Sequence, residues 1–192
     1  MSKKVGWSFW WLWLIANVLG SVILPSLVWQ DPYDLQSRIF LNEILQGLGI
    51  SIAQSLVLRD RFAKEGWWLP LTLCGWTVAL TFLYLVPSLS MRSLDAPLLA
   101  PSLIILVIDF AIIGVIVGVC QWQLLKSYQA AGLWIFASAI ALSLSTLGLY
   151  LGYMVKSTIL ASALQGAIYG ALTGLAALKV LRSPKILIKP KK

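Results

Sequence analysis

Residues 101–126, PSLIILVIDFAIIGVIVGVCQWQLLK, decide how this chain is read. A proline opens the stretch, a lysine closes it, and the only charged residue between them is Asp109. An α-helix needs about 20 apolar residues to cross about 30 Å of hydrocarbon, and the run from 102 to 125 supplies them. Within it, Gly114, Gly118 and Gln121 recur at spacings of four and three, which return to one face of a helix. A hydrophobic span with a stripe of small and polar residues is therefore the unit to look for elsewhere.

Five further stretches have the same character: 7–28, 39–58, 67–87, 132–153 and 158–178. Charged and proline-containing segments separate them. These hold Asp31, Pro32 and Asp34, then Arg59, Asp60, Arg61, Lys64 and Glu65; the longest linker, 88–101, carries Arg92, Asp95, Pro97 and Pro101. The first stretch follows Lys3 and Lys4 and is longer than the roughly 7–15 apolar residues of a secretory signal, so it is read as a retained span. The expectation is an all-α polytopic membrane protein with six transmembrane helices in a single transmembrane domain.

Composition agrees. The chain is 59% hydrophobic and 11% charged, against roughly 25% charged residues in soluble domains. Its mean hydropathy is +0.86, which leaves too few polar side chains to cover a soluble globule. The net charge of +8 sits beside the apolar runs and is read as topological sorting, not as a nucleic-acid footprint. Lys3, Lys4, Arg59, Arg61, Lys64, Lys126, Lys179, Arg182, Lys185, Lys189, Lys191 and Lys192 would share one face, leaving Arg38, Arg92 and Lys156 for the other. The positive-inside rule then puts both termini in the cytoplasm. Trp7, Trp10, Trp11, Trp13, Trp67, Trp68, Trp122 and Trp134 fall near that face, where amphipathic indoles anchor at the headgroups.

Self-comparison extends the motif along the chain. The odd-numbered spans carry Trp13/Asn17/Gly20, Trp68/Thr72/Gly75 and Trp134/Ser138/Ala141, each at offsets of four and seven. The even-numbered spans carry Gly47/Gln54, Gly114/Gln121 and Gly166/Thr173, each at an offset of seven. Two spans per copy make each copy an αα-hairpin that enters the membrane in the same direction, so three copies (7–58, 67–125, 132–178) would surround a pseudo-threefold axis along the membrane normal. Small residues permit close helix approach where lipid offers no hydrophobic drive, and side-chain amides bond across helices. The third copy is degraded, with Thr173 where the others have glutamine. A basic tail, 179–192, follows and is expected to lie on anionic lipid.

The block Gly114-Val-Ile-Val-Gly-Val-Cys-Gln-Trp-Gln-Leu-Leu-Lys126, followed by Gly132-Leu-Trp134, and the segment Gly166-Ala-Ile-Tyr-Gly-Ala-Leu-Thr-Gly174 carry a resemblance over nearly the whole chain. It resembles a family of bacterial multipass membrane proteins of unassigned activity, photosynthetic lineages among their hosts, that repeat a GxxxGxxQWxxL(R/K) hairpin. Ser55 stands where the first block would have tryptophan. The resemblance implies an integral protein of a bacterial inner or thylakoid-type membrane and no particular activity.

Candidate functional residues are few. Asp109 is the one acid well inside a span; a helix that enters at Pro101 places it about 12 Å deep. An ionised carboxylate there costs roughly 2.5–3.5 kcal/mol on insertion scales, so it is neutral and hydrogen-bonded to a neighbouring helix, or faces an external vestibule, or serves as an ion or proton site. Glu43, Asn42 and Gln46 could join it in an externally open polar site, and Gln165 is a further mid-span amide. With no histidine in the chain, an imidazole base, haem ligand or HExxH zinc site is excluded. Cys74 and Cys120 fall in apolar runs, and no nucleophile elbow or phosphate loop occurs. The expectation is a non-enzymatic protein without a metal or resident cofactor, bound by lipid and able to hold pigment between hairpins. Its leading role is an accessory, scaffold or assembly subunit beside other membrane-protein subunits. The alternative is a small transporter or channel for a solute or cation using Asp109; a substrate-binding module serving an energising partner is a third.

Overall fold

A computed structural model describes residues 5–27, 35–59, 61, 65–85 and 100–185. Expectations resting on Lys3, Lys4, Lys64, Arg92, most of the 88–101 linker and residues 186–192 lie outside the described residues. The described chain is all-α, with α1 (Trp7–Leu27), α2 (Leu35–Leu58), a 3-10 turn (Glu65–Trp67), α3 (Trp68–Leu85), α4 (Ala100–Leu125), α5 (Leu133–Met154) and α6 (Thr158–Arg182). Five of the six helices are long and apolar enough to cross a membrane; α3 is a shorter apolar helix.

Local chemistry sets the ends. Pro70 and Pro101 sit in the first turns of α3 and α4, where a missing N–H costs no intrahelical bond. Ser157 caps α6 by accepting from the Leu160 N–H at 3.2 Å, the N-cap role for which serine is favoured. Ser183 is extended (φ −69°, ψ 149°), as a residue before proline prefers, and Pro184 ends the helix. Two bounds differ from the sequence reading by four residues, the others by no more than two. The second helix starts at Leu35, not 39, and the sixth runs on past 178 to Arg182. Hydrophobicity ends where lipid would end, whereas backbone hydrogen bonding continues; Lys179 and Arg182 in the last turn are favourable at the negative end of the helix dipole.

Each helix packs on its sequence neighbours, and α6 packs back on α1, so the six ring a common interior. Glycines set the closest approaches. A Cβ on Gly20 of α1 would stand 2.7 Å from the Gly49 carbonyl carbon of α2, one on Gly75 of α3 would stand 2.9 Å from the Val117 Cα of α4, and one on Gly148 of α5 would stand 2.6 Å from the Leu164 carbonyl carbon of α6. Between successive hairpins, Gly114 faces Ser138 and Ala139, Gly166 faces Asn17 and Ser21, and Gly47 faces the Trp76 ring. A side chain at any of these would force backbones apart or, at Gly47, displace the Trp76 ring.

The outward faces are apolar: Ile15, Leu19 and Ile23 on α1, and Phe136, Ile140, Leu144 and Leu151 on α5, are all exposed. The end that carries the start of the tail is tied down by several contacts. Arg182 donates to the Val5 carbonyl at 2.9 Å, Gln129 N–H donates to the Pro184 carbonyl at 3.1 Å, and Lys185 lies over the Tyr128 ring. Arg61 stacks over Phe9, 4.9 Å from the ring centroid.

Candidate functional site

Two polar levels occupy the interior. The first lies nearer the tail. Trp13, Trp68 and Trp134, from α1, α3 and α5, are buried and meet edge-to-face, with centroids 6.0, 6.1 and 5.6 Å apart, the arrangement favoured by aromatic quadrupoles. Each indole N–H reaches an even-numbered helix. Trp68 donates to Gln54 Oε1 at 3.0 Å, Trp134 to Gln121 Oε1 at 2.9 Å, and Trp13 to Thr173 Oγ1 at 3.0 Å. The two glutamines then donate to the odd helix before them, Gln54 Nε2 to Asn17 Oδ1 at 2.9 Å and Gln121 Nε2 to Thr72 Oγ1 at 2.9 Å. A contact of 3.4 Å from Gln121 Nε2 to Gln54 Oε1 joins the two sets.

The third set is incomplete. Threonine is shorter than glutamine, and Thr173 donates instead to its own helix at the Tyr169 carbonyl, 2.7 Å away. Ser138, which stands where Asn17 and Thr72 stand, is left with a buried hydroxyl that has no partner.

These contacts correct the reading of Trp13, Trp68 and Trp134 as headgroup anchors. Their relative exposures are 0%, 1% and 1%. Indoles suit an interface only when the polar edge finds water; here amide and hydroxyl oxygens replace water, and burial of the ring follows. Of the other indoles, Trp7, Trp11 and Trp67 are exposed, while Trp10 and Trp122 are half-buried.

The second level lies eleven residues toward the other end of the even helices. At about 100° per residue, eleven residues return to within about 20° of the starting face and rise about 16 Å. Glu43 on α2, Phe110 on α4 and Ser162 on α6 thus share the axial face of Gln54, Gln121 and Thr173. Eight residues back stand Gln46, Ile113 and Gln165. All six are buried. Glu43 Oε2, Gln46 Oε1 and both side-chain polar atoms of Gln165 have no hydrogen-bond partner, although buried polar groups ordinarily find one. The surroundings are unequal. Buried Ser145 and Thr146 of α5 add hydroxyls, bonded back to the Leu142 and Ser143 carbonyls. Helices α3 and α4 add Trp76, Leu80, Leu83, Phe110 and Ile113, part of one apolar cluster with Tyr169.

Asp109 is buried, with Oδ1 unpartnered, but it stands twelve residues before Gln121, about 120° round the helix from the axial face. Ala161 has the same phase on α6 and abuts Gly152 of α5; this phase looks at a neighbouring helix. Asn42 has that phase on α2 and is half-buried. Of the four residues grouped from sequence, Glu43 alone therefore keeps the axial face, Gln46 stands about 80° round from it, and Asp109 and Asn42 stand about 120° round. Ser162 and Tyr169 were not singled out, and Gln165 was not joined to the site. The repeat offset could have found Gln165, because Gln46 and Gln165 occupy one position of the even helices.

Cys120 Sγ lies beside Gly75, one residue from the exposed Cys74. No group of three His, Cys, Asp or Glu side chains among the described residues could hold a metal ion. No protein-family model, curated protein or solved structure matches the chain.

Proposed function

We propose that this chain is a six-span integral membrane protein, built as three hairpins around a pseudo-threefold axis with both termini cytoplasmic, and that it serves as a non-enzymatic subunit holding a small solute for a larger membrane complex. The hairpin reading is supported by equivalent residues making equivalent bonds: indole to amide on Gln54 and Gln121, then amide to Asn17 and Thr72. The ring of packed neighbours, closed by α1 on α6, fits the same symmetry, and α3 would be the sixth span.

The observation that carries the function is the contrast between the two levels. Near the tail, three indoles and two amides fill the axis and satisfy one another. Farther along, Glu43, Gln46 and Gln165 present unfilled donors and acceptors inside the ring. Such an interior carries unsatisfied polar groups at one level and a mutually bonded floor at the other, which suits a holder of solute more than an open pore. A one-ended site that only binds needs a partner to release its cargo, hence the subunit role. Full-length tagged protein extracted in mild detergent should then copurify with other membrane subunits in fixed ratio; a chain that runs alone refutes the subunit role.

A second reading, a self-sufficient cation transporter, draws support from the buried, unpartnered Asp109 Oδ1. It predicts that Asp109→Asn abolishes flux in vesicles reconstituted with this chain alone.

A further inference from the structure

Both cysteines of the chain, Cys74 on α3 and Cys120 on α4, meet where these two helices cross. We infer that they form a redox-active dithiol, which closes to an interhelical disulfide by giving two electrons and two protons to a quinone dissolved in the bilayer. The inference rests on the α3–α4 contact and is independent of solute holding or of a partner subunit.

The contact comes from the helix crossing. Gly75 brings α3 so near α4 that a Cβ there would stand 2.9 Å from the Val117 Cα and 3.4 Å from both Cβ and Sγ of Cys120. Cys74, the residue before it, has its thiol within hydrogen-bonding reach of the Cys120 thiol. A disulfide requires Cα atoms within about 7 Å of each other, and a glycine crossing is the feature that lets two helices supply it. By the repeat offsets, Cys74 and Cys120 correspond to Leu19 and Ala53 on α1 and α2, and to Ile140 and Leu172 on α5 and α6. In all three pairs the odd-helix member is exposed and the even-helix member is half-buried. These positions form the outward, lipid-facing edge of each helix pair, and only α3 and α4 fill them with sulfur.

Their place in the span selects the oxidant. Cys74 stands six residues after Trp68, where α3 begins, and Cys120 five residues before Leu125, where α4 ends, so both lie about 7–9 Å inside the helix ends. Glutathione and thioredoxin, which hold cytosolic thiols reduced, act from water and have no route to a sulfur that faces lipid. A lone thiolate is costly out of water, so the protons must leave with the electrons. The S–H bonds of Cys74 and Cys120 break, the S–S bond forms, and the quinone takes up both hydrogens to become a hydroquinone. A quinone dissolves in hydrocarbon and accepts the full set of electrons and protons, leaving no charge behind. A metal is the poorer match: structural zinc takes four ligands, and no group of three His, Cys, Asp or Glu side chains among the described residues could hold one.

The reduced full chain in lipid nanodiscs provides the test. The probes are a short-tailed benzoquinone with a fully substituted ring, which cannot arylate a thiol, and oxidised glutathione in the aqueous phase. Free thiols are counted by maleimide mass shift after denaturation, and hydroquinone by its absorbance. The quinone should remove both thiols together, yield one hydroquinone per chain and leave the chain monomeric on a non-reducing gel, and dithiothreitol should restore both thiols. Oxidised glutathione should act at least about tenfold more slowly, because access governs exchange. Cys74→Leu and Cys120→Ala, which install the residues found at the corresponding positions of α1 and α2, should each keep the remaining thiol and yield no hydroquinone; Cys74→Ala is scored if Cys74→Leu fails to fold. Survival of both thiols, loss of only one, disulfide-linked dimers, equal rates with oxidised glutathione, or hydroquinone from either folded variant would each overturn the assignment. A chain that is oxidised in this way yet copurifies with nothing leaves the dithiol standing and removes only the subunit role.

Discussion

Replacement of Gln121 by leucine isolates the network on which the closed interior depends. The side chain accepts from Trp134 Nε1 at 2.9 Å and donates to Thr72 Oγ1 at 2.9 Å. Leucine keeps most of the volume and all of the apolar contact, so the loss is polar. Thr72 keeps its own bond to the Trp68 carbonyl at 2.7 Å, and Gln54 Oε1 still receives Trp68. The cost therefore falls on Trp134, whose N–H is buried without an acceptor. An orphaned buried donor costs about 1–3 kcal/mol, and interhelical side-chain hydrogen bonds in membranes average about 0.6 kcal/mol. Together these give an expected loss of about 2 kcal/mol. Trp134→Phe removes the donor itself, so Gln121→Leu in that background should cost about 1 kcal/mol less than it does in the parent, a coupling of the size seen for directly bonded pairs. Ser138→Ala is the comparison: its buried hydroxyl has no partner to lose, so the change should not destabilise and, by relieving an orphaned polar group, should stabilise by up to about 1 kcal/mol. Unfolding by titration of sodium dodecyl sulfate into mixed micelles, followed by tryptophan emission, measures all four variants. If Gln121→Leu costs no more than Ser138→Ala, or if the cycle shows no coupling, the bonded layer is not what holds the helices in place.

Other consequences follow from the packing. Gly20→Val should cost several kcal/mol, because even a Cβ would stand 2.7 Å from the Gly49 and Ile50 backbone and overpacking of this kind typically costs about 1–3 kcal/mol or more; Gly132→Ala, with nothing within 4 Å, should leave the thermal midpoint unchanged. Lys156 has φ 55°, a left-handed conformation that costs a side-chain-bearing residue about 1–2 kcal/mol; Lys156→Gly should raise the midpoint slightly, and a fall would show that the loop holds Lys156 for another reason. Both-ends-inside topology is open to labelling in a Cys74→Ala/Cys120→Ala background: Lys156→Cys should react with an impermeant maleimide applied outside intact cells, and Gln129→Cys should react only after lysis. The reverse pattern would invert the chain in the membrane.

Much of the architecture was legible from local sequence. The existence and approximate bounds of the helices follow from apolar run length, and the stripes of glycine and amide follow from the 3.6-residue period; both are properties of one helix considered alone. Even the pairing of Trp68 with Gln54 could be suspected from the repeat, though no offset says which atom accepts the proton. What one helix cannot tell is which neighbour it meets. An indole is equally at home at a headgroup or against a buried amide, so the fate of Trp13, Trp68 and Trp134 depended on whether other helices supplied acceptors there, and they did. Asp109 and Glu43 look alike in sequence, each a lone acid in an apolar run; a rotation of about 100° about the helix axis, one residue of the repeat, separates a residue facing a neighbouring helix from one facing the shared interior. Run length and period thus determined the helices and the faces they bury. Only tertiary contact decided which polar groups on those faces satisfy one another and which, around Glu43, are left open, because hydrogen bonding is directional and a partner must arrive from another helix.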